Sequence, residues 1–297
     1  MPRITIGVPV YNGVTLIGEC LENLACQTHR DFEVIISDNA STDGTTEICA
    51  AFCEYDRRFR HIVHPKTSSA NENFLYVRDS ADCDYFAFRA YDDLAAPDFL
   101  KRLAPILDET PTARLAVGTI RQEFGTAGKN RTFTYPLTVA EDSDAAERRI
   151  LRQMLMGHAS WFYGLWRHRG LIESYDRVLK DYDDPWGCDH LILLHAMLAD
   201  GIRGTQNGAD FVQRVLPTQR HYIPATRPTH AEMLARNRRF GGLARQLLEE
   251  SKLDTRAMRA VGRAIPMFTL RRCHGAKRLT QAWLKSLLPR RPHDPAG

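Results

Sequence analysis

The stretch Phe32-Glu33-Val34-Ile35-Ile36-Ser37-Asp38-Asn39-Ala40-Ser41-Thr42-Asp43-Gly44 reads as a strand running into a polar turn. Ile48, Cys49, Phe52 and Cys53 follow at helical spacing. The same unit precedes it. Ile4, Ile6, Val8 and Val10 are strand-forming, Pro9-Val10-Tyr11-Asn12-Gly13 is a turn, and Leu16, Ile17, Cys20, Leu21 and Leu24 recur at helical spacing. A short strand at Arg60–His64, a helix over Asn71–Ser80 and a strand at Asp84–Arg89 continue the alternation. This order predicts an α/β fold with a mostly parallel sheet covered by helices. Ligands of such sheets bind at the carboxyl ends of the strands. The polar clusters at 9–13, 38–43 and 90–93 all follow predicted strands, so they are expected on one edge.

Composition narrows the class. The 297 residues are 43% hydrophobic and 26% charged, as in folded globular chains, with ample length for a core. Forty Lys and Arg against 36 Asp and Glu leave a formal charge of +4, too small to imply a nucleic-acid partner. Seven cysteines without a Cys-x-x-Cys pair suggest neither a zinc knuckle nor a disulfide framework. The first ten residues lack the apolar run of a signal peptide and no stretch is long and apolar enough to span a bilayer, so a cytoplasmic protein is expected.

Taken singly, each polar cluster has a bland reading. Pro-x-Tyr-Asn-Gly is a common turn, Ser41, Thr42 and Asp43 are good caps for the next helix, and Asp92-Asp93 reads as a solvated acidic pair. Their order and spacing change the odds: a loop after strand one, an acid after strand two, adjacent acids after a later strand.

With these residues the sequence resembles the family 2 glycosyltransferases of GT-A fold. The resemblance rests on Ile6-Gly7-Val8-Pro9-Val10-Tyr11-Asn12, Leu21-x-x-Leu24-x-x-Gln27-Thr28, Phe32 through Thr45, and Asp92-Asp93 followed by Pro97-Asp98. Trp161–Arg167 and Asp189-His190-Leu191 look like acceptor-side segments of bacterial members. It implies a Rossmann-like, mostly parallel sheet flanked by helices, and transfer of a sugar from a nucleotide-diphosphate donor, UDP-linked, to an acceptor hydroxyl with inversion. Carbohydrate or lipid-linked acceptors and cell-surface polysaccharide or lipid-linked glycan synthesis go with the family. Residues 1–115 are expected to form the donor half, 116–225 the acceptor half and 226–297 a basic helical extension.

The resemblance also assigns roles. Pro9, Tyr11 and Asn12 would line the base slot, Asp38 would accept a hydrogen bond from the base, and Asn73 lies where relatives carry Arg-Asn, with Glu72 in place of the basic residue. Relatives read Asp-x-Asp-Asp where this chain has Ala90-Tyr91-Asp92-Asp93. Asp93 is therefore expected to bind Mg²⁺ or Mn²⁺ directly and Asp92 to meet the ribose or the outer side of the cation, with His221 as a further ligand or a plain surface imidazole. Asp189, before the apolar run 191–194, is the expected general base, against a helix-cap reading and against Asp183 or Asp184 as the true base. The four rings within Trp161–Arg167 are either core or an acceptor wall. From Arg256 onward ten bases face the single acid Asp294, interleaved with Leu270, Leu279, Trp283, Leu284, Leu287 and Leu288. That pattern suits an amphipathic helix on the inner face of an anionic membrane, or a cationic face packed on the catalytic domain. Two other classes stay open: an inactive nucleotide-sugar-binding scaffold, suggested by Ala90 and Glu72, and a nucleotidyltransferase, disfavoured because Val10–Gly18 has neither a Gly-rich phosphate loop nor a Lys.

Overall fold

A computed structural model describes residues 3–126, 129–135, 137, 145–215, 228–275 and 277–281. Strand β1 (Ile4–Val10) is buried along its whole length and lies between β2 (Phe32–Asp38) and β4 (Tyr85–Phe88), parallel to both. β3 (Phe59–Val63) extends the sheet beyond β2, again parallel. The order β3-β2-β1-β4 reverses direction beside β1, the kind of place where loops at the strands' carboxyl ends open a crevice. Helices α1 (Ile17–Ala25), α2 (Thr45–Tyr55) and α3 (Ala70–Asp79) make the crossovers. α1 turns Ile17, Cys20, Leu21 and Leu24 to the core, as their spacing requires. α3 starts with a capping box in which Ser69 and Glu72 bond each other's backbone, so Glu72 serves the helix start.

β5 (Leu94–Ala95) and α4 (Phe99–Glu109) follow, then β6 (Leu115–Val117). β7 (Ile120–Thr126) and β8 (Lys129–Tyr135) pair as an antiparallel hairpin. After α5 (Ala146–Met156), a 3-10 turn at Ala159–Tyr163 leads to β9 (Leu165–Arg167), which runs antiparallel between β4 and β6. Trp161, Phe162 and Trp166 are buried, with the Trp166 indole donating to the Phe162 carbonyl at 2.8 Å, so these rings are core. α6 (His168–Leu179), α7 (Cys188–Leu198), β10 (Ile202–Gly204) and β11 (Phe211–Val215) complete the fold before two long helices, α8 (His230–Glu249) and α9 (Thr255–Arg272). β10 pairs with β6, making a seven-stranded main sheet. β11 joins β5, β7 and β8 in a second sheet of four.

The apolar face of α9, with Val261, Ile265 and Phe268, is buried against the body, and Asp254 caps its start by accepting from Ala257 N–H at 2.8 Å. The cationic-face reading therefore holds for 255–272. Trp283, Leu284, Leu287 and Leu288 lie outside the described residues. No helix among the described residues is long and apolar enough to cross a membrane.

Candidate active site

Two loops at the carboxyl ends of β1 and β2 are stitched together by side chains. Asn12, in a left-handed conformation (φ 49°), accepts from the Thr42 N–H through Oδ1 at 2.9 Å, and its own N–H donates to Ser41 Oγ at 2.9 Å. Gly13 N–H donates to Thr45 Oγ1 at 2.9 Å and Val14 N–H to Asp43 Oδ2 at 3.1 Å. A Cβ on Gly13 would come within 2.7 Å of the Tyr91 ring, so this residue type is needed where the β1 loop passes the acidic loop. Between them lies a cleft of about 420 Å³ lined by Pro9, Tyr11, Asn12, Asn39, Asn73 and Tyr91, among others. The three residues expected in the base slot thus meet there together with Asn73, and Tyr11 is exposed as a ring that a flat base can stack on.

Asp38 stands elsewhere. It is fully buried and absent from the cleft lining; its Oδ1 accepts from Ser41 N–H at 2.9 Å and its Oδ2 from Thr46 Oγ1 at 2.5 Å. Burial pushes its pKa up, but the His61 ring 3.7 Å away and hydrogen bonds from Ser41 and Thr46 outweigh this and hold the carboxyl well below its usual range. In this structure both Asp38 oxygens are engaged by the 39–46 loop and set its shape. The neighbour Asn39 lines the cleft instead, its side chain bonded to the Ser68 carbonyl and N–H at 2.8 Å each. Asn73 ties the strand ends together from α3: it accepts from Ser37 Oγ at 2.5 Å and donates to the Ser37 carbonyl at 3.1 Å and the Val10 carbonyl at 3.4 Å.

The acidic pair lies on the short link from β4 to β5, both residues buried. Burial first, and the Asp92 carboxylate second, push Asp93 up to about 7, and burial likewise raises Asp92. Two basic residues that sequence reading missed attend the pair. Arg89, one residue past β4, is buried with its guanidinium over the Phe211 and Phe99 rings, at 4.9 and 5.4 Å from the centroids, and burial lowers its pKa. Its Nε and Nη1 find no hydrogen-bond partner among the described residues. Arg214 of β11 donates its backbone N–H to Asp93 Oδ1 at 2.9 Å, its Nε to the Asp92 carbonyl and its Nη1 to Glu19. A lone Arg ending the apolar run Tyr85–Phe88 was a signal for the first; nothing local marks the second.

The donor set suits a hard cation as far as it goes. Two carboxylates are oxygen ligands, and Asp93 is buried where a positive charge would relieve it. No group of three or more His, Cys, Asp or Glu gathers for a metal among the described residues, and a bound pyrophosphate would supply oxygen ligands of its own. His221 lies outside the described residues.

Asp189 occupies the second position of α7, after the left-handed Gly187 (φ 80°) that caps the helix, and is therefore not the cap. It is half-buried and its Oδ1 accepts from the His190 N–H at 2.8 Å. The two rival acids are engaged with α8: Asp183 pairs with Arg239 at 2.5 Å, and Asp184 with Arg236 at 2.9 Å while accepting from Trp186 N–H at 3.0 Å.

A crevice at the reversal point of a Rossmann-like sheet, lined by the loops after β1 and β2 with an acidic pair after β4, is the arrangement of a GT-A nucleotide-sugar site. The chain belongs to glycosyl transferase family 2: the sequence model with that description matches residues 5–164, more than half of it. Among curated relatives, it is 31% identical over 118 residues to glycosyltransferase GlyA of Streptococcus pneumoniae, covering 39% of this chain and 16% of that one. It is 31% identical over 180 residues to the putative glycosyltransferase EpsH of Bacillus subtilis, covering 59% of this chain and 49% of that one. The chain thus spans half or less of the length of these two relatives. Among solved structures, Staphylococcus aureus TarS 1–349 in complex with UDP matches with a TM-score of 0.66 at 17% identity, over 97% of this chain and 76% of that one. The mannosyltransferase PcManGT of Pyrobaculum calidifontis, in complex with GDP-Man and Mn²⁺, matches with a TM-score of 0.55 at 17% identity, over 96% and 75%. These likenesses give the fold as GT-A.

Proposed function

We propose that the chain transfers a sugar from a UDP-linked donor to a hydroxyl of a carbohydrate or lipid-linked acceptor, with inversion at the anomeric carbon, in cell-surface polysaccharide or lipid-linked glycan assembly. The observation that carries this reading is the convergence of Pro9, Tyr11, Asn12 and Asn73 on one cleft, with the Asp92-Asp93 link at the same edge of the sheet. On this reading the base stacks in the slot beside Tyr11, and Asn39 and Asn73 fix its walls. Asp93 would hold Mg²⁺ or Mn²⁺ directly, with Asp92 at the ribose or the outer side of the cation, and the ion when bound would neutralise charge on the departing diphosphate. Asp189 takes the proton of the attacking hydroxyl, a role supported by the engagement of Asp183 and Asp184 with α8. Residues 1–115 serve the donor, 116–225 the acceptor, and 226–297 form a helical extension. The TarS and PcManGT structures, in complex with UDP and with GDP-Man and Mn²⁺, support a nucleotide-diphosphate donor and a divalent ion.

The test is thermal stabilisation by UDP and by GDP with and without Mn²⁺, followed by release of UDP from a panel of UDP-sugars. Metal-dependent stabilisation by UDP with turnover of one donor is expected. Stabilisation without any turnover, acceptor present, would favour the inactive scaffold instead.

A further inference from the structure

A second cavity, of about 470 Å³, opens where the end of α9 meets the end of α5, and Tyr135, Met156, His158, Leu270, Arg271 and Arg272 line it. Its charge is one-sided. Arg271 donates to the Leu155 carbonyl at 2.9 Å, and Arg272 to the carbonyls of Met154 and Gly157 at 3.3 and 2.5 Å. Those bonds fix both arginines on the last turn of α5, yet no acid lines the cavity among the described residues. Burial, and next the Arg271 guanidinium, push the Arg272 pKa below its usual value, so an anion here would be welcome. Along α9 the exposed Arg256, Arg259 and Arg263 extend the positive surface, of which Arg256 meets Glu147 at 3.3 Å.

The rim is apolar. Of nine large hydrophobic side chains exposed among the described residues, three line this cavity: Met156 at 62%, Tyr135 at 41% and Leu270 at 37%. Two more share their faces, Met267 one turn earlier on α9 and Phe133 two residues earlier on β8. Exposed apolar side chains clustered around a cationic pocket fit a ligand with a charged head and a hydrocarbon body. The chain's own C-terminal stretch is a poor source of that charge, because 277–294 adds Lys277, Arg278, Lys285, Arg290 and Arg291 against the single acid Asp294.

The cavity is also close to the proposed base. The Trp186 indole donates to the Cys273 carbonyl at 2.9 Å, and a Cβ on Gly187 would lie 3.7 Å from the Arg272 carbonyl, so the first turn of α7 rests on the same end of α9.

We propose that this cavity binds the phosphate or diphosphate head of a lipid, with Arg271 and Arg272 on the anion and Tyr135, Met156, Met267 and Leu270 at the acyl boundary. As an acceptor pocket it rests on the glycosyltransfer reading; as a lipid site it does not. The experiment is flotation of the full chain with phosphatidylcholine vesicles containing about 30 mol% phosphatidic acid, against phosphatidylcholine alone. Binding is expected only to the first. Arg271→Gln is expected to weaken it about fivefold and Met267→Ser with Leu270→Ser about tenfold or more, while UDP still stabilises each variant in the presence of Mn²⁺. No flotation, equal flotation on neutral vesicles, or undiminished binding by these variants overturns the lipid site. Stabilisation of Asp93→Ala by inorganic pyrophosphate without vesicle binding would make it a free-phosphate site and also overturn the proposal. Failure of the unsubstituted chain to float, with its UDP response intact, rejects this pocket alone. Flotation retained without any UDP response supports the pocket and counts against the donor reading.

Discussion

Asp189→Asn separates a proton-accepting role from a structural one. The carboxylate sits at the second position of α7 and makes a single described hydrogen bond, from the His190 N–H to Oδ1 at 2.8 Å. Asparagine keeps that acceptor. What folding loses is the attraction between a negative charge and the helix N-terminus, about 0.3–1 kcal/mol for a half-exposed site. An amide cannot take the hydroxyl proton, so turnover is expected to fall by about 10²–10⁴-fold, or about 3–5 kcal/mol of activation free energy. Urea unfolding measures the first quantity and initial rates at saturating donor the second. The UDP dissociation constant serves as control, since Asp189 does not line the donor cleft. Wild-type turnover by a folded, UDP-binding Asp189→Asn protein would refute the assignment. A stability loss beyond that range with turnover retained would instead assign the carboxylate to its charge attraction for the Arg272 guanidinium.

Asp93→Ala is expected to abolish the enhancement of UDP binding by Mn²⁺ in calorimetry while leaving residual metal-free binding; an unchanged metal dependence would remove Asp93 from the cation site. Asp38→Ala removes the acceptors of the Ser41 N–H and the Thr46 hydroxyl in a half-exposed loop, so a stability loss of about 1–2 kcal/mol should accompany weaker UDP binding. Weaker binding at unchanged unfolding free energy would instead restore a direct contact with the base. Acid should destabilise the fold through His158 and His195, whose pKa values burial lowers to about 4. Their folded values lie below the unfolded value of about 6.5, so the stability they confer is complete above that pH and is lost as pH falls from there to about 4. The slope is at most about 1.4 kcal/mol per pH unit for each ring, and urea midpoints between pH 7 and 4 measure it; midpoints flat over that range would contradict the burial of neutral imidazoles.

The donor half was legible because its signals are local. β1 and β2 are apolar runs that end in turn-forming residues, and the observed Ile4–Val10 and Phe32–Asp38 match the expected strands to within a residue. The site was legible only to the level of loops. Which of two adjacent residues faces the cleft depends on the twist at the end of a strand, and here Asn39 lines it while Asp38 bonds the 39–46 loop. Arg214 was out of reach for another reason: it meets Asp93 across 121 residues, through the antiparallel pairing of β11 with β5, and β5 is only two residues long. Similarly, Leu165–Arg167 is too short to announce an antiparallel strand inside a parallel sheet, and Trp161, Phe162 and Trp166 bring bulk that reads equally well as wall or core.

The family match ends at residue 164, while the proposed base lies beyond it, so what holds that acid in place has to be found in the chain's own second half. It is found in the C-terminal helices. Gly187 carries a left-handed φ of 80°, and a Cβ there would approach the Phe240 ring of α8 to 3.0 Å. Trp186 stacks on His274 with centroids 5.0 Å apart, donates to the Cys273 carbonyl, and has its own carbonyl bound by the Tyr182 hydroxyl at 2.7 Å. The Asp184–Arg236 and Asp183–Arg239 pairs add two more ties to α8. α7 therefore begins where it does because α8 and α9 pack on the turn before it, and Asp189 takes its position from those contacts. On this argument residues 230–274 are structurally part of the site that Asp189 belongs to rather than an appendage to the fold, because removing their contacts would leave the turn at 183–187 without the partners that set where α7 starts.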